Sequence, residues 1–367
     1  MKNACILLKN SKSAFTDNDY LSAVNTFRTG GYAFDELRIL YRADEKRFTD
    51  TLTSCKAEFD NILLLADAAQ ILGVKSLVLP IFSEELQGAA NGAGVYAHDK
   101  KTLFLIPVDN GEVGVEFIKT VCLPYLARKY GKRVDKFVIR AVGANEMRVE
   151  QLIARAESLS QGKMNVAHTK SYDEDVLEVF YDETAPKMLT DDVLRVFAEG
   201  LEDTVYALND TNLETQLVQL LKLRGRKISV AESFTGGGIA RRIVSVPGAS
   251  EVYFEGLNTY NELSKIKRLG VSEYTLKTVG AVSDETAYEM AAGLIATGDC
   301  DISIATTGLA GPNTDKSMLP VGLCYIAVGT RERVYVYRYK FDGNRKEITE
   351  KAINYALFLA YKQLKNM

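Results

Sequence analysis

Short apolar runs alternate with helix-period segments along most of the chain. ACILL (4–8), ELRILY (36–41) and NILLLA (61–66) predict strands, with helices over NDYLSAVNTFRTGG (18–31) and KRFTDTLTSCKAEF (46–59) between them. Strand–helix alternation of this kind predicts a parallel sheet with covering helices. GAGVYAHDKKTLFLIPV (92–108) reads as a hairpin and EVGVEFIKTVCLPYLARKYG (112–131) as a helix, which places a first boundary near residue 133. The pattern then changes grain. KFVIRAVG (136–143) is a strand, NEMRVEQLIARAESLS (145–160) an amphipathic helix, MNVAHTKSYDEDVLEVFYD (164–182) two strands, and DDVLRVFAEGLED (191–203) a helix, which together make a small α+β module.

The helix LETQLVQLLKLRG (213–225), within 206–226, leads into a second α/β pattern. Its strands are ISVA, YFEGLNTY, DISIATT, GLCYIAVG and VYVYRYKF; its helices are GGIARRIV, DETAYEMAAGLIATG and EITEKAINYALFLAYKQLK. The expected organisation is therefore α/β in three parts, residues 1–133, 134–205 and 206–367.

Composition narrows the class without naming a chemistry. With 367 residues, 47% hydrophobic and 25% charged, the chain is globular on composition. A net charge of −3 does not suit a whole-chain nucleic-acid binder, and Arg241–Arg242 and the basic run 265–268 read as solvated helix faces. No run approaches the ~20 apolar residues a membrane span needs, and the start, MKNACILLKNSKSAF, reads as a first strand and not a signal peptide, so a cytoplasmic protein is expected. Cys5, Cys55, Cys122, Cys300 and Cys324 are dispersed and odd in number, which predicts buried thiols, no disulfide framework and no zinc site. The two histidines, His98 and His168, both precede residue 169.

The candidate chemistry lies in the last part. AESFTGGGIA (231–240) follows a strand and opens a helix. Its glycines let the chain turn tightly and let a ligand approach, and the first-turn N–H groups of the helix can cradle a phosphate or an oxyanion. A bare structural turn is the alternative. A second loop, SIATTGLAGPN (303–313), also follows a buried strand, and loops leaving the carboxyl ends of strands in one sheet can face one pocket. Thr306, Thr307, Gly308 and Gly311 are its candidate phosphate- and hydroxyl-binding positions, against punctuation of a loop. If Ser233 is a nucleophile, its base is not a histidine, since 169–367 contains none. A lysine with a depressed pKa can serve, and Lys265 is the candidate.

AESFTGGGIA, VPGAS (246–250), TYNELSK (259–265), LGV (269–271), GAVSDETAYEMAAG (280–293), TGLAGP (307–312), PVG (320–322) and FDGNR (341–345) occur in the order and approximate spacing of the C-terminal domain of the CinA, or competence/damage-inducible, family, which residues 209–367 resemble. That resemblance implies a metal-independent serine amidohydrolase that needs no cofactor, converting nicotinamide mononucleotide to nicotinate mononucleotide and ammonia in pyridine-nucleotide salvage. It implies Ser233 as nucleophile, Lys265 as its basic partner and Tyr260 beside them. It also implies substrate binding by Thr235, Gly236, Gly237, Thr307, Gly308, Gly311 and Arg345, the last suited to a phosphate. The sequence departs from the family at three places. Phe234 follows the serine where a small residue is usual, Asn313 to Leu319 lack the glycine pair and lysine, and Asn344 replaces the aspartate before Arg345, which is expected to weaken an orienting ion pair.

The first two parts resemble that family's molybdopterin-cofactor-binding-like domain and KH-like module, through KTLFLIPVDNGEVGVEFIKTVCLPYL (101–126) and VIRAVGANEMRVEQLI (138–153). The glycine-rich phosphate loop and the acidic pair are missing after NILLLA, and the LPGxPxE loop has become 106–112, so a degenerate domain serving dimerisation is expected. No GxxG clamp appears in 134–205, which argues against RNA. The resemblance thus implies a homodimer acting on a nucleotide. The alternatives are a non-catalytic nucleotide-binding protein and a residual ADP-ribose pyrophosphatase in the first part.

Overall fold

A computed structural model describes residues 1–9, 17–89, 91–108, 112–131, 134–313 and 318–367. The anticipated boundary at 133, the loop positions 109–111 and most of the Asn313–Leu319 departure, residues 314–317, lie outside the described residues. The chain divides into one unit of residues 1–136 with 180–186 and another of residues 137–179 with 187–367.

In the first unit the strands are β1 (Asn3–Lys9), β2 (Glu36–Tyr41), β3 (Asn61–Ala66), β4 (Glu84–Gly88), β5 (Gly94–His98) and β6 (Lys101–Pro107). They form a six-stranded sheet in the order β2-β1-β3-β6-β5-β4. β1, β2, β3 and β6 are parallel neighbours, and the hairpin strand β5 returns antiparallel to β6. Because side chains alternate across a strand, Cys5, Leu7, Leu63, Leu65, Phe104 and Ile106 enter one apolar cluster, and Ile6, Leu64, Leu103 and Leu105 the other. The helix Ile71–Phe82 and β4 are additions to the sequence reading, and the helix contains both Gly73 and Pro80, residues that interrupt a helical pattern. The segment 112–130 is helical as expected, with a π-turn at Ile118–Cys122.

β7 (Val134–Val142), β8 (Met164–Ser171), β9 (Glu174–Asp182) and β10 (Val205–Ala207) form a four-stranded sheet, ordered β10-β7-β9-β8, with helices Glu146–Ser160 and Lys187–Gly200. β10, too short to show a period, was absent from the sequence reading. All five cysteines are buried, unpaired thiols. Among the described residues no helix is long and apolar enough to cross a membrane.

The last sheet contains β11 (Ile228–Glu232), β12 (Tyr253–Asn258), β13 (Ile302–Gly308), β14 (Leu323–Thr330) and β15 (Val334–Lys340), in the order β12-β11-β13-β14-β15. β12, β11 and β13 run parallel, and β13, β14 and β15 antiparallel. Its faces differ in bulk. Ile228, Val230, Ile302, Ile304, Ile326 and Val328 pack on one side beneath the helices Leu213–Arg224, Gly238–Val244 and Arg345–Asn366. On the other side Ala231, Ala305 and Ala327 meet Ala287 and Ala291 of the helix Asp284–Ala296, and the Ser303 hydroxyl donates to the Ala291 carbonyl at 2.9 Å. Small side chains on both surfaces let this helix approach closely.

That approach positions the next layer. The helix Glu262–Leu269 crosses at Gly293, where an added Cβ would lie 2.0 Å from the Leu269 carbonyl oxygen. Gly293→Ala must therefore displace backbone, and we expect a loss of about 1–3 kcal/mol, read as a lowered urea midpoint. An unchanged midpoint would contradict the close crossing.

Candidate active site

Three strand ends meet at one edge of the last sheet. β11 lies between β12 and β13, with Glu232 in register with Asn258 and Thr306. Two backbone bonds extend that register past the strands: the Ser233 N–H donates to the Thr306 carbonyl at 3.1 Å, and the Thr259 N–H donates to the Glu232 carbonyl at 2.8 Å. Ser233 and Thr259 are thus held side by side at the carboxyl edge, where open α/β sheets place their ligands.

Lys265 reaches the same point from the helix Glu262–Leu269. Asn261 caps that helix by accepting from the Leu263 N–H, and Gly270 ends it at φ +69°. Only 1% of Lys265 is exposed, so it is not part of the solvated basic face read from 265–268. Its Nζ donates to Ser233 Oγ at 2.9 Å and to the Thr259 carbonyl at 2.5 Å. Both partners are uncharged. Burial pulls the amine down from 10.5 to about 8, against a smaller upward pull from Glu262. Ser233 is itself only 8% exposed.

A cavity of about 320 Å³ opens beside the pair, and Ser233, Lys265, Tyr260, Thr307, Gly308, Gly311 and Arg345 all line it. Tyr260 is 62% exposed, and its hydroxyl accepts from Arg345 Nη2 at 3.3 Å. Arg345 Nη1 donates to the Gly311 carbonyl at 2.7 Å. The Thr307 hydroxyl donates to the Ala281 carbonyl at 2.5 Å, which leaves its lone pairs free to accept. Thr306 does not line the cavity; its hydroxyl pairs with that of Thr235 at 2.8 Å behind the loop.

The glycine turn behaves differently from the expectation. Gly236 and Gly237 take φ of +62° and +94°, and neither they nor Thr235 line the cavity. The N–H groups expected to receive an anion are already taken. Glu232, buried within the protein, accepts from Gly237 N at 3.0 Å and Ile239 N at 3.1 Å through Oε2, and from Ala240 N at 2.8 Å through Oε1. Gly236 N donates to the Ser233 carbonyl and Gly238 N to the Thr235 carbonyl. The helix start is thus capped by the protein's own carboxylate, and Thr235, Gly236 and Gly237 shape the turn instead of contacting the cavity. Nothing in the sequence singled out Glu232 except its charge at the end of an apolar strand. Thr259 and Leu309 were missed as well, the latter lining the cavity, and Asn313, read only as the start of a departure from the family, lines it too.

Two departures from the family pattern acquire a physical role. Phe234 lines the cavity and is anchored in a cluster with Ala310, Cys324, Phe341, Ile348 and Ala352. Asn344 does not weaken the placement of Arg345, because Gly311 and Tyr260 hold the guanidinium. Asn344 instead caps the long helix Arg345–Asn366: its side chain accepts from Lys346 N and Glu347 N, and Glu347 accepts from the Asn344 N–H at 2.7 Å. Among the described residues no group of three or more His, Cys, Asp or Glu side chains is placed to hold a metal ion.

Fold and site together define an α/β protein with a buried serine–lysine pair at the carboxyl edge of a mixed sheet. A family profile described as the CinA C-terminal domain matches residues 210–364. A putative competence-damage inducible protein of Caldicellulosiruptor saccharolyticus is 34% identical over 288 residues, covering 78% of this chain and 70% of that protein. A CinA-like protein of Kosmotoga olearia is 32% identical over 281 residues, covering 76% and 67%. The chain belongs to the CinA family. Among solved structures, a CinA superfamily protein from Klebsiella pneumoniae is 28% identical and covers 42% of this chain and 97% of its own, with a TM-score of 0.41.

Burial of the Lys265 cation carries a testable sign. Between about 8 and 10.5 the unfolded chain keeps the Lys265 proton while the folded chain has released it, so its contribution to stability rises with pH across that window. Below the window the penalty is present in full. Relative to Lys265→Met, the wild-type protein should gain on the order of 3 kcal/mol as pH is raised through it, measured by urea denaturation. A pH-independent difference would show that the amine is not desolvated.

Proposed function

We propose that residues 206–367 hydrolyse the carboxamide of nicotinamide mononucleotide, giving nicotinate mononucleotide and ammonia in pyridine-nucleotide salvage. One observation carries the reading: a buried amine with a pKa lowered to about 8, 2.9 Å from the hydroxyl of Ser233, at the wall of a cavity. The neutral Lys265 amine takes the Ser233 proton as Oγ attacks the carboxamide carbon. The resulting ammonium returns that proton to the departing nitrogen, so ammonia leaves and an ester on Ser233 remains. Water, deprotonated by the same amine, then hydrolyses the ester and restores the serine.

The negative oxygen of the intermediate needs donors. Every N–H from Gly236 to Ala240 is engaged within the protein. The Phe234 N–H, which has no acceptor among the described residues and belongs to a residue lining the cavity, is the donor proposed. Arg345 keeps unused N–H groups for the phosphate, and Tyr260 offers a face to the pyridine ring. Support for the substrate comes from the family resemblance of the motifs, and we propose that the protein acts as a cytoplasmic homodimer.

The purified protein should release ammonia from nicotinamide mononucleotide, and Ser233→Ala should lower kcat by at least about a thousandfold. Tight nucleotide binding with no release in the wild-type protein would favour a non-catalytic binding protein. Activity should climb with pH through about 8 as Lys265 loses its proton and then level off. Arg345→Ala should raise KM by about tenfold or more with little change in kcat; the opposite split would remove the arginine from phosphate binding.

A further inference from the structure

Among the described residues Glu232 is the fully buried carboxylate beside this site, and the reaction outlined above does not use it. Its exposure is 1%. Both oxygens face main chain: Gly237, Ile239 and Ala240 donate to them. A carboxylate holding three N–H groups at a helix start stabilises that start through hydrogen bonds and through the helix dipole. A residue five to eight positions before its donors is an unusual cap, since side-chain caps ordinarily sit at the helix boundary itself. Here the boundary residue is Gly237, which has no side chain to offer.

The consequence for the nucleophile follows from connectivity. Glu232 immediately precedes Ser233, and its carboxylate ties the far end of the turn, residues 237–240, back to the strand end. The residues between are Ser233, Phe234, Thr235 and Gly236. Their path is thus closed at both ends by one side chain. The glycines at the far end have left-handed φ values, which glycine adopts at little steric cost. The Glu232 carbonyl also accepts from the Thr259 N–H, and the Thr259 carbonyl in turn accepts from Lys265 Nζ. One residue therefore connects the hydroxyl-bearing turn to the segment that holds the amine.

We propose that Glu232 is a positioning residue: its side chain clamps the 233–237 turn so that Ser233 Oγ and the Phe234 N–H keep the geometry needed for attack. The same carboxylate occupies the N–H groups of the helix start, which therefore offers no seat for a substrate anion. This inference rests on Ser233 being a nucleophile but not on the identity of the nucleotide.

The test uses an activated electrophile in place of the substrate. The full-length protein is treated with a fluorophosphonate, and phosphonylation of Ser233, with loss of fluoride, is followed by mass spectrometry for wild type, Glu232→Gln, Glu232→Asp and Ser233→Ala. Thermal melting is recorded for each. Glutamine keeps the shape but offers one acceptor oxygen and an NH2 that opposes the donors. Glu232→Gln should be labelled roughly 30-fold or more slowly than wild type at temperatures where both are folded, with the same apparent pKa for labelling. Glu232→Asp, charged but one methylene short, should fall between the two. Labelling of Glu232→Gln within about threefold of wild type, with only a lowered melting temperature, would reduce Glu232 to a helix cap and overturn the proposal. An unreactive Ser233 in the wild-type protein would overturn it together with the nucleophile assignment, whereas a reactive Ser233 with no turnover of nicotinamide mononucleotide would leave it standing and remove only that substrate.

Discussion

The hydrogen bond between Lys265 and Ser233 is the interaction on which the last domain's architecture converges. An ammonium group is costly to bury, and it persists inside a protein only when it is well paired or able to lose its proton. Here the partners are a hydroxyl and a carbonyl, so deprotonation is the available relief. The surrounding structure serves that constraint. The parallel register of β11 with both neighbours sets Ser233 beside Thr259, and the crossing at Gly293 brings the lysine-bearing helix down onto them.

Electrostatics of the site are arranged to keep opposite charges from cancelling the effect. Glu232 is the nearest buried carboxylate in sequence to the serine, yet it spends both oxygens on main-chain donors and forms no hydrogen bond with the amine. Arg345 is likewise occupied by neutral acceptors, a carbonyl and a phenol. A carboxylate paired with Lys265 would have held it protonated and removed its capacity to act as a base.

Much of this organisation was readable in the chain. Runs such as NILLLA and ISVA, bounded by polar segments, gave strands at nearly their observed limits, and the ordered motifs brought Ser233, Lys265, Tyr260 and Arg345 forward as one group. What escaped depended on tertiary placement. Lys265 was named as the candidate base, but its burial was not readable: it opens a basic run whose Lys267 and Arg268 are exposed, and only packing separates it from them. Glu232 ends an apolar strand as surface charges often do, and its donors appear only once the turn has folded back. The helix Ile71–Phe82 was hidden by Gly73 and Pro80. Asn344 is the instructive case, because Asn-Arg-Lys-Glu is a readable capping box that comparison with the family obscured.

The unequal faces of the last sheet separate two kinds of mutational sensitivity by residue parity. Along β13, Ile304 belongs to the bulky side, where trimming a methyl leaves a void in the core beneath the helices. Its neighbour Ala305 belongs to the tightly approached side, where one added carbon pushes outward on the helix stack that carries the amine. Adjacent letters of one strand thus carry different mechanical duties, filling of the core for one and spacing of the helix stack above the reacting groups for the next.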